Sequence, residues 1–119
     1  MKFCRFMEGV SMTRDVFGSL EIRVGLIVEV EDFPQARKPA FRLTIDFGEF
    51  GVKRSSAQLT RTYTKEGLKG KRVLCVTNIA PLRVGPFVSE VLVPGIARAD
   101  GVWVLVVPDG DIPLGTKLE

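Results

Sequence analysis

The sequence contains no histidine and only two cysteines, Cys4 and Cys75. Without histidine the chain lacks the commonest general base, the commonest transition-metal ligand and the usual activator of a serine nucleophile. The cysteines lie far apart, form no CxxC pair and make no disulfide framework, so they read as free thiols of a reducing cytoplasm. The longest apolar run, VWVLVV at 102–107, falls far short of the ~20 residues a helical membrane span needs. Membrane insertion is therefore not expected. The opening MKFCRFMEGVSM has neither a long apolar stretch nor a small-residue cleavage site, which argues against a secretory signal. Residues 1–12 are expected to be a short leader. No Walker loop, GxGxxG, GxSxG elbow or EF-hand spacing occurs, so no cofactor and no metal is expected.

What is present fits one compact domain: 119 residues, 45% apolar, with a formal charge of +3. That charge is unevenly spread. Residues 53–72 hold seven basic side chains (Lys53, Arg54, Arg61, Lys65, Lys69, Lys71, Arg72) against one acid, Glu66, so this window is +6 and the remainder −3. A segregated positive window suits an anionic partner such as RNA, and equally a solvated face kept charged for solubility.

The same window contains KRSSAQ, residues 53–58, whose adjacent serines invite a catalytic reading. Serine needs a neighbouring base, and the one local candidate is Lys53, two places before Ser55 on the same strand face. A lysine there would have to be buried to lose its proton, which a solvated basic strand does not provide. Asp46 with Glu49, and Asp109 with Asp111, sit in turns where aspartate serves backbone geometry. No catalytic residue is assigned. Hydroxyls and an amide beside Arg and Lys can instead hydrogen-bond phosphates, base edges or a peptide backbone, or close the strand's own end.

Thr13 or Ser11 can cap a short helical turn ended by Gly18. IRVGLIVEV alternates, with Ile22, Val24, Leu26, Val28 and Val30 on one face, and Gly25 predicts a bend or bulge. FRLTIDF sets Phe41, Leu43, Ile45 and Phe47 inward. A third strand runs from Val52 to Ser55, Thr60 is a candidate helix cap, and RVLCV reads as a central strand. PLRVGPFVSEVLVPG mixes breakers with short β-prone pieces, and GVWVLVV supplies the last strand. Trp103 within it is expected in the core or a dimer interface, and Tyr63 and Phe87, the only aromatics near the expected ligand face, in the core. Five bent strands with one small helical insertion after the third predict an all-β fold, a five-stranded Greek-key OB-fold barrel with a short N-terminal helix and terminal extensions.

The blocks LEIRVGLIVEVEDFPQARKPAFRLTIDFG, GVKRSSAQLTRTYTKEGLKGKRVLCVTN, PLRVGPFVSEVLVPG and VPDGDIPLGTKL resemble, in order, the tRNA-binding domains that stand alone or are appended to aminoacyl-tRNA synthetases. Within that superfamily the sequence is similar to the CsaA-type export chaperones, with SSAQ and FVSEVL as the specific elements. The resemblance implies an OB-type domain over residues 13–119 and a non-catalytic homodimer built through the N-terminal helix and C-terminal hairpins. It implies partners of two classes: unfolded or presecretory polypeptide or, as the alternative, tRNA recognised by shape. For polypeptide, the expected cleft is floored by Phe87, Val91 and Leu92 and rimmed by Arg23, Arg54, Gln58, Asn78 and Arg83. For RNA, the expected set is Lys38, Lys53, Arg54, Ser55, Ser56, Arg61, Ser89 and Glu90. Ser89 and Glu90 match the S-E of the tRNA-binding S-E-G-M motif, while Val91 and Leu92 depart from it as the chaperone branch does.

Overall fold

The structure, a computed structural model, describes residues 12–119; Cys4, Ser11 and the expected leader apart from Met12 lie outside the described residues. Helix α1 (Arg14–Gly18) starts where the Thr13 side chain accepts a hydrogen bond from the Val16 amide, as the capping pattern predicts. None of its residues is buried.

Strands β1 (Ile22–Asp32), β2 (Phe41–Asp46), β3 (Val52–Ala57) and β4 (Arg72–Val76) form one antiparallel sheet in the order β3-β2-β1-β4. Strand β2 alternates as its sequence predicts, with Phe41, Leu43, Ile45 and the following Phe47 buried. A 3-10 turn (Gly48–Phe50) leads into β3. In β1 the expected alternation does not persist. The register against β2 shifts between Ile27 and Glu29, so a bulge exchanges the faces and Ile27, predicted outward, is fully buried. Gly25 marks the crossing point: a Cβ there would lie 2.5 Å from Ile45 Cγ2 and 2.6 Å from Phe47 Cε1. Only a residue without a side chain lets β1 pass this close to the core.

Beyond the sheet are two hairpins, β5 (Leu82–Val84) with β6 (Phe87–Ser89) and β7 (Gly95–Ala97) with β8 (Trp103–Leu105). The molecule is mostly β, as expected, but among the described residues there are eight strands in three sheets rather than five in one closed ladder. Pro81, Pro86 and Pro94 lack amide donors and cut this region into three-residue pieces. Residues 89–92 bridge the gap between the sheet's two edges without forming a strand along it. The Glu90 amide donates to the Arg54 carbonyl on β3 (2.7 Å), and Val76 on β4 exchanges backbone hydrogen bonds with Leu92 (2.9 and 3.0 Å).

Strand β4 is an edge of the sheet rather than its centre. Its apolar sequence reflects the cover it receives from Leu92 and from residue 106, whose carbonyl accepts from the Leu74 amide. Helix α2 (Lys65–Leu68) is capped by Thr64, which accepts from the Gly67 amide, and not by Thr60; it drives Leu68 into the core. The C-terminal stretch runs beside β1, with Gly115 and Val24, Val24 and Thr116, and Leu118 and Ile22 joined by backbone hydrogen bonds.

The main core is Ile27, Leu43, Ile45, Phe47, Leu68, Val73 and Cys75, all with no solvent exposure. Each large apolar side chain fully buried there contributes about 1.5–3 kcal/mol. A second cluster holds Phe33, Ala40 and Phe87, with Phe33 and Phe87 edge to face at 5.3 Å.

Candidate functional site

The two signature tetrapeptides, SSAQ and SEVL, meet inside the protein. β3 alternates, so Ser55 points inward and is 1% exposed, and Ser89, at the end of β6, is 9% exposed. The Ser55 hydroxyl donates to the Val91 carbonyl (2.9 Å) and lies 3.2 Å from the Ser89 hydroxyl, which accepts from the Ser56 amide (3.3 Å). Glu90 completes the seam by accepting from the Arg54 amide (3.0 Å). Every hydrogen-bond partner of the Ser55 hydroxyl is a carbonyl or another hydroxyl. None is a base able to take its proton, so the arrangement holds the 89–92 segment on β3 and does not create a nucleophile.

The residues expected to floor a polypeptide cleft divide by depth. Phe87 and Val91 are buried in the second cluster and the main core, whereas Leu92 is 46% exposed. Among the rim residues, Arg23 turns toward the C-terminal stretch, donating to the Gly115 carbonyl (2.9 Å) and stacking its guanidinium 3.8 Å from the Phe50 ring centre. Asn78 clamps the exit of α1, accepting from the Glu21 amide and donating to the Ser19 carbonyl. Arg54 lies over the Phe87 ring at 4.7 Å and pairs with Glu31. Gln58 and Arg83 are exposed. On the polypeptide side the structure leaves Arg54, Gln58, Asn78, Arg83 and Leu92 at the surface, with the Asn78 amide already engaged at α1.

Four of the seven cations of the positive window are matched by acids outside it, three on β1 and one in the C-terminal stretch. Lys65 pairs with Asp32 (3.0 Å), Lys69 with Glu29 (3.4 Å), Arg54 with Glu31 (3.4 Å) and Arg72 with Asp111 (3.6 Å). The Lys65–Asp32 hydrogen bond, reinforced by the carboxylate's charge, holds the Lys65 ammonium above its ordinary pKa. Such exposed pairs add little stability, but they cancel much of the field that the sequence suggests. Lys53, Arg61 and Lys71 of the window, and Lys38 outside it, form no ion pair among the described residues. Lys38 and Arg61 are exposed, and Lys53 and Ser56 are half-buried.

The Cys75 thiol is fully buried, and desolvation pushes its pKa up to about 12, which removes it as a nucleophile at neutral pH. Sequence reasoning placed Trp103 in the core or a dimer interface; it is not in the core of the single chain, where it is 47% exposed, because β8 belongs to a peripheral hairpin. The register sets Trp103 opposite Ala97, and Gly95, paired with Leu105, leaves the space against which the indole lies.

Residues 22–117 match the family described as "Putative tRNA binding domain". The chain is 44% identical to the crystallised chaperone CsaA of Bacillus anthracis strain Ames, covering 92% of this chain and 100% of that one with a TM-score of 0.86. It is also 44% identical to the CsaA chaperone protein of Picrophilus torridus, with the same coverage and a TM-score of 0.84. Against the methionine–tRNA ligase of Methanococcus maripaludis strain C5 it is 32% identical over 104 residues, and there it spans only 15% of the ligase's length.

Proposed function

The chain belongs to the tRNA-binding-domain family, in its CsaA-type branch, and from that premise we propose that it is a non-catalytic chaperone holding unfolded, presecretory polypeptides as a cytoplasmic homodimer. The observation that carries this reading is the 44% identity to CsaA chaperones over their whole length. Further support comes from large apolar side chains left at the surface, Leu82, Val88 and Leu92 on and beside the β5–β6 hairpin. They would accept occasional apolar side chains of an extended guest, with Arg54, Gln58 and Arg83 hydrogen-bonding its backbone. In this reading the sheet works as an OB-type barrel closed by residues 89–92, and α1, whose Val16 and Phe17 are exposed, packs on a second copy. Ordering a disordered guest costs several kcal/mol, so affinity is about micromolar.

A second reading, tRNA binding, is favoured by cations that form no ion pair among the described residues, among them Lys38, Lys53 and Arg61. Ser55, Ser56, Ser89 and Glu90 then act from within, by fixing the backbone that carries Arg54. The two readings separate in one titration, with deacylated tRNA and an unfolded signal-bearing polypeptide measured at low and high salt. Polypeptide binding that survives salt and is lost in Leu92→Asp supports the chaperone. Binding of tRNA alone, falling with salt at a log–log slope of about −3, overturns it in favour of RNA.

A further inference from the structure

Beside the β7–β8 hairpin lies an open pocket of about 280 Å³, lined chiefly by Lys38, Gln58, Thr60, Arg61, Val102 and Trp103. Its volume is at the lower end for small-ligand sites, enough for one compact unit and not for a helical surface. Two features of its chemistry point the same way. Lys38 and Arg61 converge on it from different loops, and neither is ion-paired among the described residues. None of the lining residues is acidic, and Asp100, next in sequence to the lining residue Gly101, is already engaged: its carboxylate accepts from Arg98 (2.7 Å) and from the Val102 amide (3.1 Å). The pocket therefore presents positive charge without a counter-charge among the described residues.

The second feature is the indole. Trp103 packs against Gly95, where a Cβ would come within 3.0 Å of its Cε3 atom, and 47% of the residue remains exposed. The hairpin carrying it is fixed to the loop that carries Arg61: Thr62 Oγ1 donates to the Trp103 carbonyl (2.9 Å), and the Leu105 amide donates to the Tyr63 hydroxyl (3.1 Å). The hairpin that carries the aromatic surface and the loop that carries Arg61 are thus joined before any ligand arrives.

We propose that this pocket is a subsite for one unpaired nucleotide of a bound RNA strand, its base stacked on Trp103 and its phosphate held between Lys38 and Arg61. Gln58, with two donors and an acceptor on its amide, is placed to meet the base edge. An anion joined to a flat ring with a hydrogen-bonding edge is what this lining complements, and stacking on an aromatic tolerates any base. The proposal rests on the RNA reading and adds to it: a tRNA corner recognised by shape alone needs no stacking platform.

Trp103 is the single tryptophan of the chain, so its emission reports on this pocket alone. Short single-stranded oligoribonucleotides, a duplex of the same sequence, deacylated tRNA and an unfolded polypeptide are titrated against the full chain, with binding read in parallel by anisotropy of the labelled ligand. The single strand is expected to quench Trp103 while the duplex does not. Lys38→Ala and Arg61→Ala should each weaken the single strand several-fold, and Trp103→Ala by about 10–100-fold with Trp103→Phe in between. Thermal melts of each variant establish that it is folded.

Bound tRNA with unchanged Trp103 emission overturns the pocket and leaves the shape reading standing. Failure of every RNA to bind overturns both, while the chaperone reading is judged separately on the polypeptide arm. A change in emission on diluting the protein alone assigns Trp103 to contact with a second copy, and quenching by the polypeptide that competes with RNA assigns the pocket to a peptide; either sinks the proposal.

Discussion

Replacing Ser55 by alanine tests whether the serines of SSAQ build the surface or belong to it. The hydroxyl is 1% exposed and donates to the Val91 carbonyl at 2.9 Å, beside the Ser89 hydroxyl at 3.2 Å. Its loss removes a buried hydrogen bond, yet the Val91 carbonyl keeps the Ser89 hydroxyl as a donor at 3.2 Å, so no carbonyl is left orphaned. The cost is then about 1–2 kcal/mol rather than the larger penalty of an unsatisfied group. For a chain of this size that lowers Tm by roughly 3–10 °C. Ser89→Ala should cost a similar amount, and the double variant less than the sum by about 0.5–1 kcal/mol, because the two hydroxyls share partners. Chemical and thermal denaturation measure these values, and affinity for tRNA and for unfolded polypeptide, taken well below the melting range, should stay within about two-fold. An unchanged melting curve together with a tenfold or greater loss of affinity would refute the reasoning, since it would put the hydroxyl against a ligand.

Gly25→Ala should cost about 3 kcal/mol or prevent folding, because the added methyl meets Ile45 and Phe47, both fully buried; urea denaturation reads it. Thr64→Ala should lose about 1 kcal/mol through its cap, and Thr60→Ala much less, by the same measurement. Cys75 should resist thiol reagents in the folded protein and react only as it unfolds. Its pKa is raised from 9.0 to about 12 by burial, so the unfolded state ionises first and stability should fall as pH rises between those values, an effect absent in Cys75→Ala. Asp100, held near a pKa of about 2 by its hydrogen bond from Arg98, should titrate by carboxyl NMR well below an ordinary aspartate. Its contribution is complete above the ordinary value of 3.8 and is lost as pH falls toward 2; a midpoint near 3.8 would mean that the ion pair is not formed.

The residues by themselves determined the all-β class, the inward row Phe41, Leu43, Ile45 and Phe47, a helix cap at Thr13 or Ser11, and the lack of a histidine to activate Ser55 or Ser56. These are local properties, fixed by period, turn chemistry and the supply of side-chain types. Tertiary structure decided the rest, because each remaining point turns on residues far apart in the chain. Alternation places Ser55 on a face but cannot say that Ser89 arrives to meet it, nor that Glu29, Glu31 and Asp32 neutralise Lys69, Arg54 and Lys65 while Lys38 and Arg61 form no ion pair among the described residues. One bulge in β1 reversed which side chains enter the core, and three prolines divided an expected final strand system into hairpins. One of those hairpins carries Trp103 outward, a position no periodicity reveals, since a half-covered edge and a buried strand share the same apolar pattern.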